Sequence, residues 1–249
     1  MPEVTDFESG ARAALPLLQP QFAPAGLVTC PDCPVARRQM LTEMLPEAPT
    51  PCGLRRLSVE ARAPFPFWLL ANESFALVRR GVVIRQRADV HGEVVSVDVA
   101  GPGAYLPLGN NAASSGSVAA GYAATDVLLC VYAEAASNRQ LACLATPTLL
   151  ELNRLQAEAL ERMERIADAR SRSTVARRVA ALLCVLSDTL NPTRVRGQLP
   201  ALYLRDLAGL IDTRHESLCR ELRKLEQAGL IERDAEQIRL IERDVLEQL

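Results

Sequence analysis

No stretch of the 249-residue chain approaches about 18 uninterrupted apolar residues, so the sequence offers no membrane-spanning helix. Its first residues, MPEVTDFESGARAALPLLQPQF, lack a basic start followed by a long apolar run, and no secretory leader is read there. A soluble, unsecreted, cytoplasmic protein is expected. Neither charge sign dominates: 28 basic residues face 30 acidic ones, for a formal net charge of -2. That balance excludes a broad basic surface that binds polyanions wholesale, so any contact with nucleic acid has to come from one locally placed element. Histidine is scarce, with only His91 and His215. No internal repeat or low-complexity tract is present, and no nucleophile, base and orienting group form a catalytic constellation. The chain is therefore not read as an enzyme.

What is present begins with seven cysteines, Cys30, Cys33, Cys52, Cys130, Cys143, Cys184 and Cys219. An odd set in a chain without a leader suits a reducing compartment, where thiols or metal ligands are expected rather than disulfides. The length accommodates one large domain or two modest ones, and the changes of texture along the chain favour two. Residues 1–53 form a proline-rich arm that carries the pair Cys30-Pro-Asp-Cys33. Residues 54–145 hold short apolar runs, FALVRR, VVIRQRA, VVSVDVA and DVLLCVYA, broken by turn formers such as Gly101-Pro-Gly103. Strands at this spacing predict an antiparallel β-roll.

Thr146-Pro147 is a helix start, with threonine as N-cap and proline at the first helical position, and opens a long helix over 146–170. Leu149, Leu152, Leu155, Ala159, Met163 and Ile166 recur along it at three- and four-residue spacing. Such a stripe packs on its own domain or forms a seam with a second chain. The seam is expected, because a lone helix between two domains has little else to cover it. Residues 171–249 begin with a helix from Val175 to about Leu190, which stops at Asn191-Pro192.

The stretch LRDLAGLIDTRHESLCRELRKLEQAGLI then supplies a short helix, a tight turn at Asp212-Thr213, and a second helix over 214–227 with Gly229 just past its end. Leu204, Leu207 and Ile211 face inward on the first helix, and Leu218, Leu222 and Leu225 on the second. A small hairpin follows at Leu230-Ile231 and Ile238–Ile241. This is the order of a helix-turn-helix, in which the second helix is held by its apolar face while its first residues stay free for base edges. Thr213, Arg214, His215, Glu216, Ser217, Cys219 and Arg220 are the candidate DNA contacts. Glu216 and Arg220 lie one helical turn apart. Arginine bonds both acceptors of guanine and glutamate accepts from the cytosine amino group, so the pair suits one major groove. As a surface ion pair the same two residues are worth only a few tenths of a kcal/mol.

Over nearly its whole length the chain resembles the CRP/FNR family of bacterial regulators. HESLCRELRKLEQAGLIE is similar to the family's recognition helix, in which a glutamate and an arginine four residues on match Glu216 and Arg220. FALVRRGVVIRQRADVHGEVVSVDVAGPGAYLPLG resembles its jelly-roll sensor domain, and the helix from Pro147 its dimerisation helix. The resemblance implies an α+β fold of N-terminal arm, antiparallel β-roll, long dimerisation helix and C-terminal winged helix-turn-helix. It also implies a homodimer on palindromic double-stranded DNA in contact with RNA polymerase. His215 and Cys219 depart from the valine and serine usual in the oxygen-responsive branch.

The resemblance also bears on the signal. GAYLPLGNNAASSGSVAAGYAA has no acidic or basic residue, so it lacks the phosphate partner that cyclic-nucleotide members carry, and it lacks the histidine or cysteine of haem-binding members. In the oxygen-responsive branch an N-terminal cysteine cluster and one cysteine at the end of the roll hold an iron-sulfur cluster, 4Fe-4S, through soft thiolates. Cys30, Cys33 and Cys130 match three of those four positions. Arg37, Arg38 and Gln39 stand where the remaining cysteine belongs, leaving Cys52, Asp32 or Glu43 as the fourth ligand. Read without the resemblance, Cys130, Cys143 and Cys184 suit an apolar core, and Cys30 with Cys33 suits a dithiol or half a zinc site. A thiol-disulfide enzyme needs that pair at a helix start after a buried strand, a pattern missing here.

Overall fold

The structure is a computed structural model that describes residues 22–23, 55–65, 73–88, 94–108, 119–133, 146–190, 198–200, 202–234 and 237–249. Cys30, Cys33, Cys52 and Cys143 lie outside the described residues.

Short runs rich in Val, Ala, Leu and Tyr form the strands β1 (Phe22–Ala23), β2 (Arg55–Val59), β3 (Glu73–Arg80), β4 (Val83–Ala88), β5 (Val94–Ala100), β6 (Tyr105–Pro107), β7 (Ala119–Ala123) and β8 (Val127–Ala133). They pair antiparallel into two sheets, ordered β1-β2-β8-β3-β6 and β5-β4-β7. The two sheets form the predicted roll. Its interior holds Leu57, Val59, Ala76, Val78, Leu106, Leu129 and Val131. Phe75, Leu77, Tyr105 and Cys130 are also buried, on the opposite face of the larger sheet. Burial on both faces is why these strands read as continuous apolar runs rather than as an alternation. The β3–β4 turn depends on Gly81, whose φ is +85° and where a Cβ would stand 2.1 Å from the carbonyl oxygen of Asp126.

Helix α1 (Thr146–Ser171) leaves the roll but stays against it. Gln156 Nε2 donates to Tyr105 Oη at 3.2 Å, which puts the first half of the helix over the outer face of the larger sheet. Further along, Arg162 donates from Nε to Asp98 Oδ1 at 2.7 Å and from Nη2 to Oδ2 at 3.0 Å. This cover changes the reading of the expected dimer seam. Leu152, Leu155, Ala159 and Ile166 are buried within the single chain and Met163 is half-buried, while the side chain of Leu149 lies outside the described residues. The helix is not bare. Its roll-facing stripe packs at home, and the row left in solvent is a different one: Leu150 (66% exposed), Asn153, Ala157, Leu160 (54%), Glu164 and Ala167, again at alternating three- and four-residue spacing.

The C-terminal unit comprises α2 (Val175–Thr189), β9 (Gln198–Pro200), α3 (Leu204–Leu210), α4 (His215–Gln227), β10 (Ile231–Arg233), β11 (Gln237–Leu240) and α5 (Arg243–Gln248). Thr174 caps α2 by accepting from the backbone N–H of Arg177 at 3.3 Å. One apolar cluster joins Val179, Leu182, Leu183 and Leu186 of α2 to Leu207, Leu218, Leu222, Leu225, Ile231, Ile238 and Leu246. The expected hairpin is a three-stranded sheet, β10-β11-β9, since Leu199 pairs with Ile238.

Candidate nucleic-acid interface

Helices α3 and α4 meet through Leu207 and Ile211 on one side and Leu218, Leu222 and Leu225 on the other, all buried as the periodicity requires. Leu204 packs partly buried against the same cluster. The turn between the helices is tight. Asp212 takes a φ of +47°, and the N–H of Thr213 donates to Ala208 O at 3.0 Å. Arg178 of α2 steadies it by donating to the carbonyls of Ile211 and Asp212 at 3.5 and 3.3 Å. Arg170, at the end of α1, donates to Leu210 O at 3.0 and 3.2 Å and also to Ser96 O of the roll. Its cation therefore sits where the α3 carbonyls end and their dipole is negative.

With its apolar face so fixed, α4 presents the other face outward. Arg214, His215, Glu216 and Arg220 are exposed, and Thr213, Ser217 and Cys219 are half-buried along the same edge. Arg214 is the N-cap and no side chain caps the first turn. A helix start of this kind offers N–H groups and a positive dipole end to an anion. Arg220 is 67% exposed; its Nε lies 4.0 Å from Glu221 Oε1, and among the described residues no ion pair joins it to Glu216. Both are therefore available to an outside partner rather than satisfied by each other. Cys219 Sγ stands 3.7 Å from His215 Nε2 and 3.8 Å from Nδ1, so these two side chains share one patch. Lys224 pairs with Glu221 at 2.9 Å, away from the helix start.

Of the four cysteines assigned to a cluster, Cys130 alone belongs to the described residues. It is buried on β8 between Arg56 and Leu77 of the flanking strands, on the same sheet face as Tyr105. Among the described residues no three histidine, cysteine or acidic side chains converge as a metal site. No described helix is long and apolar enough to cross a membrane.

Sequence reasoning missed the charged residues that tie the roll, the long helix and the C-terminal unit to one another. Arg162, Asp98, Arg170, Arg62 and Asp206 are far apart in the chain, and their pairing leaves no local pattern.

A short helix, a tight turn, a second helix with a free leading edge and a following sheet define a winged helix-turn-helix, here carried by an α+β chain behind a β-roll and a long helix. Residues 177–249 match the family model of the Crp-like helix-turn-helix domain. The fold as a whole is that of solved CRP/FNR regulators. FixK2 from Bradyrhizobium japonicum superposes with a TM-score of 0.63 at 20% identity, covering 79% of this chain and 96% of that one. A CRP-family transcriptional regulator from Thermus thermophilus gives 0.57 at 17%, covering 77% and 94%. A cyclic nucleotide-binding domain containing protein from Listeria monocytogenes gives 0.62 at 14%, covering 77% and 90%. Among curated proteins none is a significant match.

Proposed function

We propose that this chain is a sequence-specific, DNA-binding transcription regulator of the CRP/FNR type that acts as a homodimer on palindromic double-stranded DNA and contacts RNA polymerase. The observation that carries the reading is the leading edge of α4. Glu216 and Arg220 stand exposed, one turn apart and unpaired with each other, on a domain that matches the Crp-like helix-turn-helix family. Arg220 reads a guanine through O6 and N7, and Glu216 accepts from a cytosine amino group. Thr213, Arg214 and Ser217 take phosphate oxygens beside the helix start, while His215 and Cys219 face the outer bases of the half-site. The second chain docks on the exposed row of α1, Leu150, Asn153, Ala157, Leu160, Glu164 and Ala167, rather than on the stripe buried in its own chain.

For the signal, the donor set supports an iron-sulfur cluster, 4Fe-4S, with Cys30, Cys33, Cys52 and Cys130 as thiolate ligands. Bound there, the group supplies an oxidant-labile link between arm and roll. Cys130 shares its sheet face with Tyr105, which Gln156 of α1 contacts, so a tie from the arm to Cys130 would act on the face that meets the long helix. The test is anaerobic purification with an absorption spectrum and iron and sulfide analysis, followed by selection of bound duplexes from a random pool before and after exposure to air. Enrichment of a palindrome supports the regulator reading, and loss of binding with loss of iron in air supports the cluster. Iron-free protein that also resists reconstitution overturns the cluster alone, while no enrichment overturns the regulator.

A further inference from the structure

Beside the apolar contacts that Val82, Ile84 and Val99 make with the C-terminal unit, the roll holds one buried carboxylate of that unit. Asp206, in the first turn of α3, is 2% exposed and both of its oxygens are taken by groups of the roll. Arg62 Nη1 donates to Oδ2 at 2.7 Å and Tyr122 Oη donates to Oδ1 at 2.8 Å. The Arg62 guanidinium carbon also lies 5.1 Å from the ring centre of Tyr122, in the roll, and 4.5 Å from that of Tyr203, ahead of α3.

Arg62 is held in place by an unusual backbone. Its φ of +68° lies in the left-handed region, which a residue with a Cβ seldom adopts. The surrounding turn is pinned to β7 and its neighbours: the N–H of Arg62 donates to Ala123 O at 2.7 Å, that of Ala61 to Asp126 Oδ1 at 2.9 Å and that of Phe65 to Gly121 O at 2.7 Å. A backbone outlier persists where its surroundings over-determine it, and here the result is a cation aimed at another domain.

We propose that Arg62, Tyr122 and Asp206 form a junction that fixes the orientation of the helix-turn-helix relative to the roll, so that the roll, and not α1 alone, sets the separation of the two recognition helices in the dimer. The separation rests on the regulator reading; the junction itself does not. Swinging α3 away from the roll strips a buried carboxylate of both its hydrogen-bond donors, so the junction resists rotation about the end of α1. Arg62, Tyr122 and Asp206 are positioning residues and touch no DNA themselves.

The test compares the full-length protein with R62Q, D206N and the double variant. Binding is measured on the palindrome selected by the unaltered protein and on versions with the half-sites moved one base pair closer or farther. Amide hydrogen exchange across α3 is followed in parallel. Each single variant is expected to lose about tenfold of the preference for the native spacing, with the double variant no worse than either single, while preference among half-site bases stays unchanged. Retention of the spacing preference by both singles overturns the junction. If the unaltered protein selects no DNA, the regulator reading fails and exchange decides: α3 amides protected in the unaltered chain and exposed in D206N and R62Q uphold the junction, and equal protection overturns it.

Discussion

Arg162 of α1 grips Asp98 of β5 through two nitrogens, 2.7 and 3.0 Å from the two carboxylate oxygens, with Asp98 fully buried and Arg85 adding a third contact at 3.4 Å. A charge pair this deep gains little over well-packed apolar residues, yet breaking it leaves one ion stranded away from water. The pair ties the middle of the long helix to β5 of the roll. Asp98→Ala is expected to cost about 3–5 kcal/mol by leaving Arg162 uncompensated. Urea denaturation of the variant beside the unaltered protein measures it, and a loss under about 1 kcal/mol would show that the pair is solvated.

On the proposed dimer, the two faces of α1 are expected to separate stability from assembly. Leu155→Ala removes a side chain buried in its own chain and should cost about 2–5 kcal/mol in urea denaturation without altering subunit number. Leu160→Glu changes an exposed residue, should leave single-chain stability within about 0.5 kcal/mol, and should weaken the dimer. Sedimentation of both variants decides; a dimer lost by Leu155→Ala and kept by Leu160→Glu reverses the assignment of faces.

The cysteines of the C-terminal unit should differ in reactivity. Burial pushes the Cys184 thiol from its ordinary 9.0 up to about 11, against a smaller downward pull from Arg243. The folded chain therefore holds this proton after the unfolded chain has released it, so the contribution of Cys184 to stability falls as pH rises from about 9 to about 11. Cys219 is partly exposed beside His215. Native alkylation at pH 8, mapped by peptide mass, should label Cys219 and spare Cys184 until the protein unfolds. Equal labelling of the two would contradict the burial of Cys184.

Much of this architecture was legible in the sequence where the signal is local. The spacing of Leu207, Leu218, Leu222 and Leu225 states both that α3 and α4 are helices and which sides meet, and the structure buries all four. Helix starts at Thr146 and Val175 were equally plain. Periodicity reports that a face is buried but not what buries it, and for that reason the stripe from Leu152 to Ile166 read as a dimer seam when the roll and α2 cover it. Strand β9 was missed because three residues after a polar linker carry no alternation, and its pairing with β11 is set 39 residues downstream at Leu199 and Ile238. Arg62 and Asp206, 144 residues apart, show the limit most clearly: nothing near either residue announces the other.

If the leading edge of α4 reads DNA as proposed, Arg220→Ala removes one of its two base readers. The variant keeps the buried face of the helix intact, so it should fold and dimerise as before. On duplexes that differ from the selected palindrome at single half-site positions, it should lose about 1–3 kcal/mol of discrimination at the base pair Arg220 contacts, roughly five- to 150-fold, and bind the remaining positions with their original preferences. An unchanged base preference at every position would mean that Arg220 reads no base.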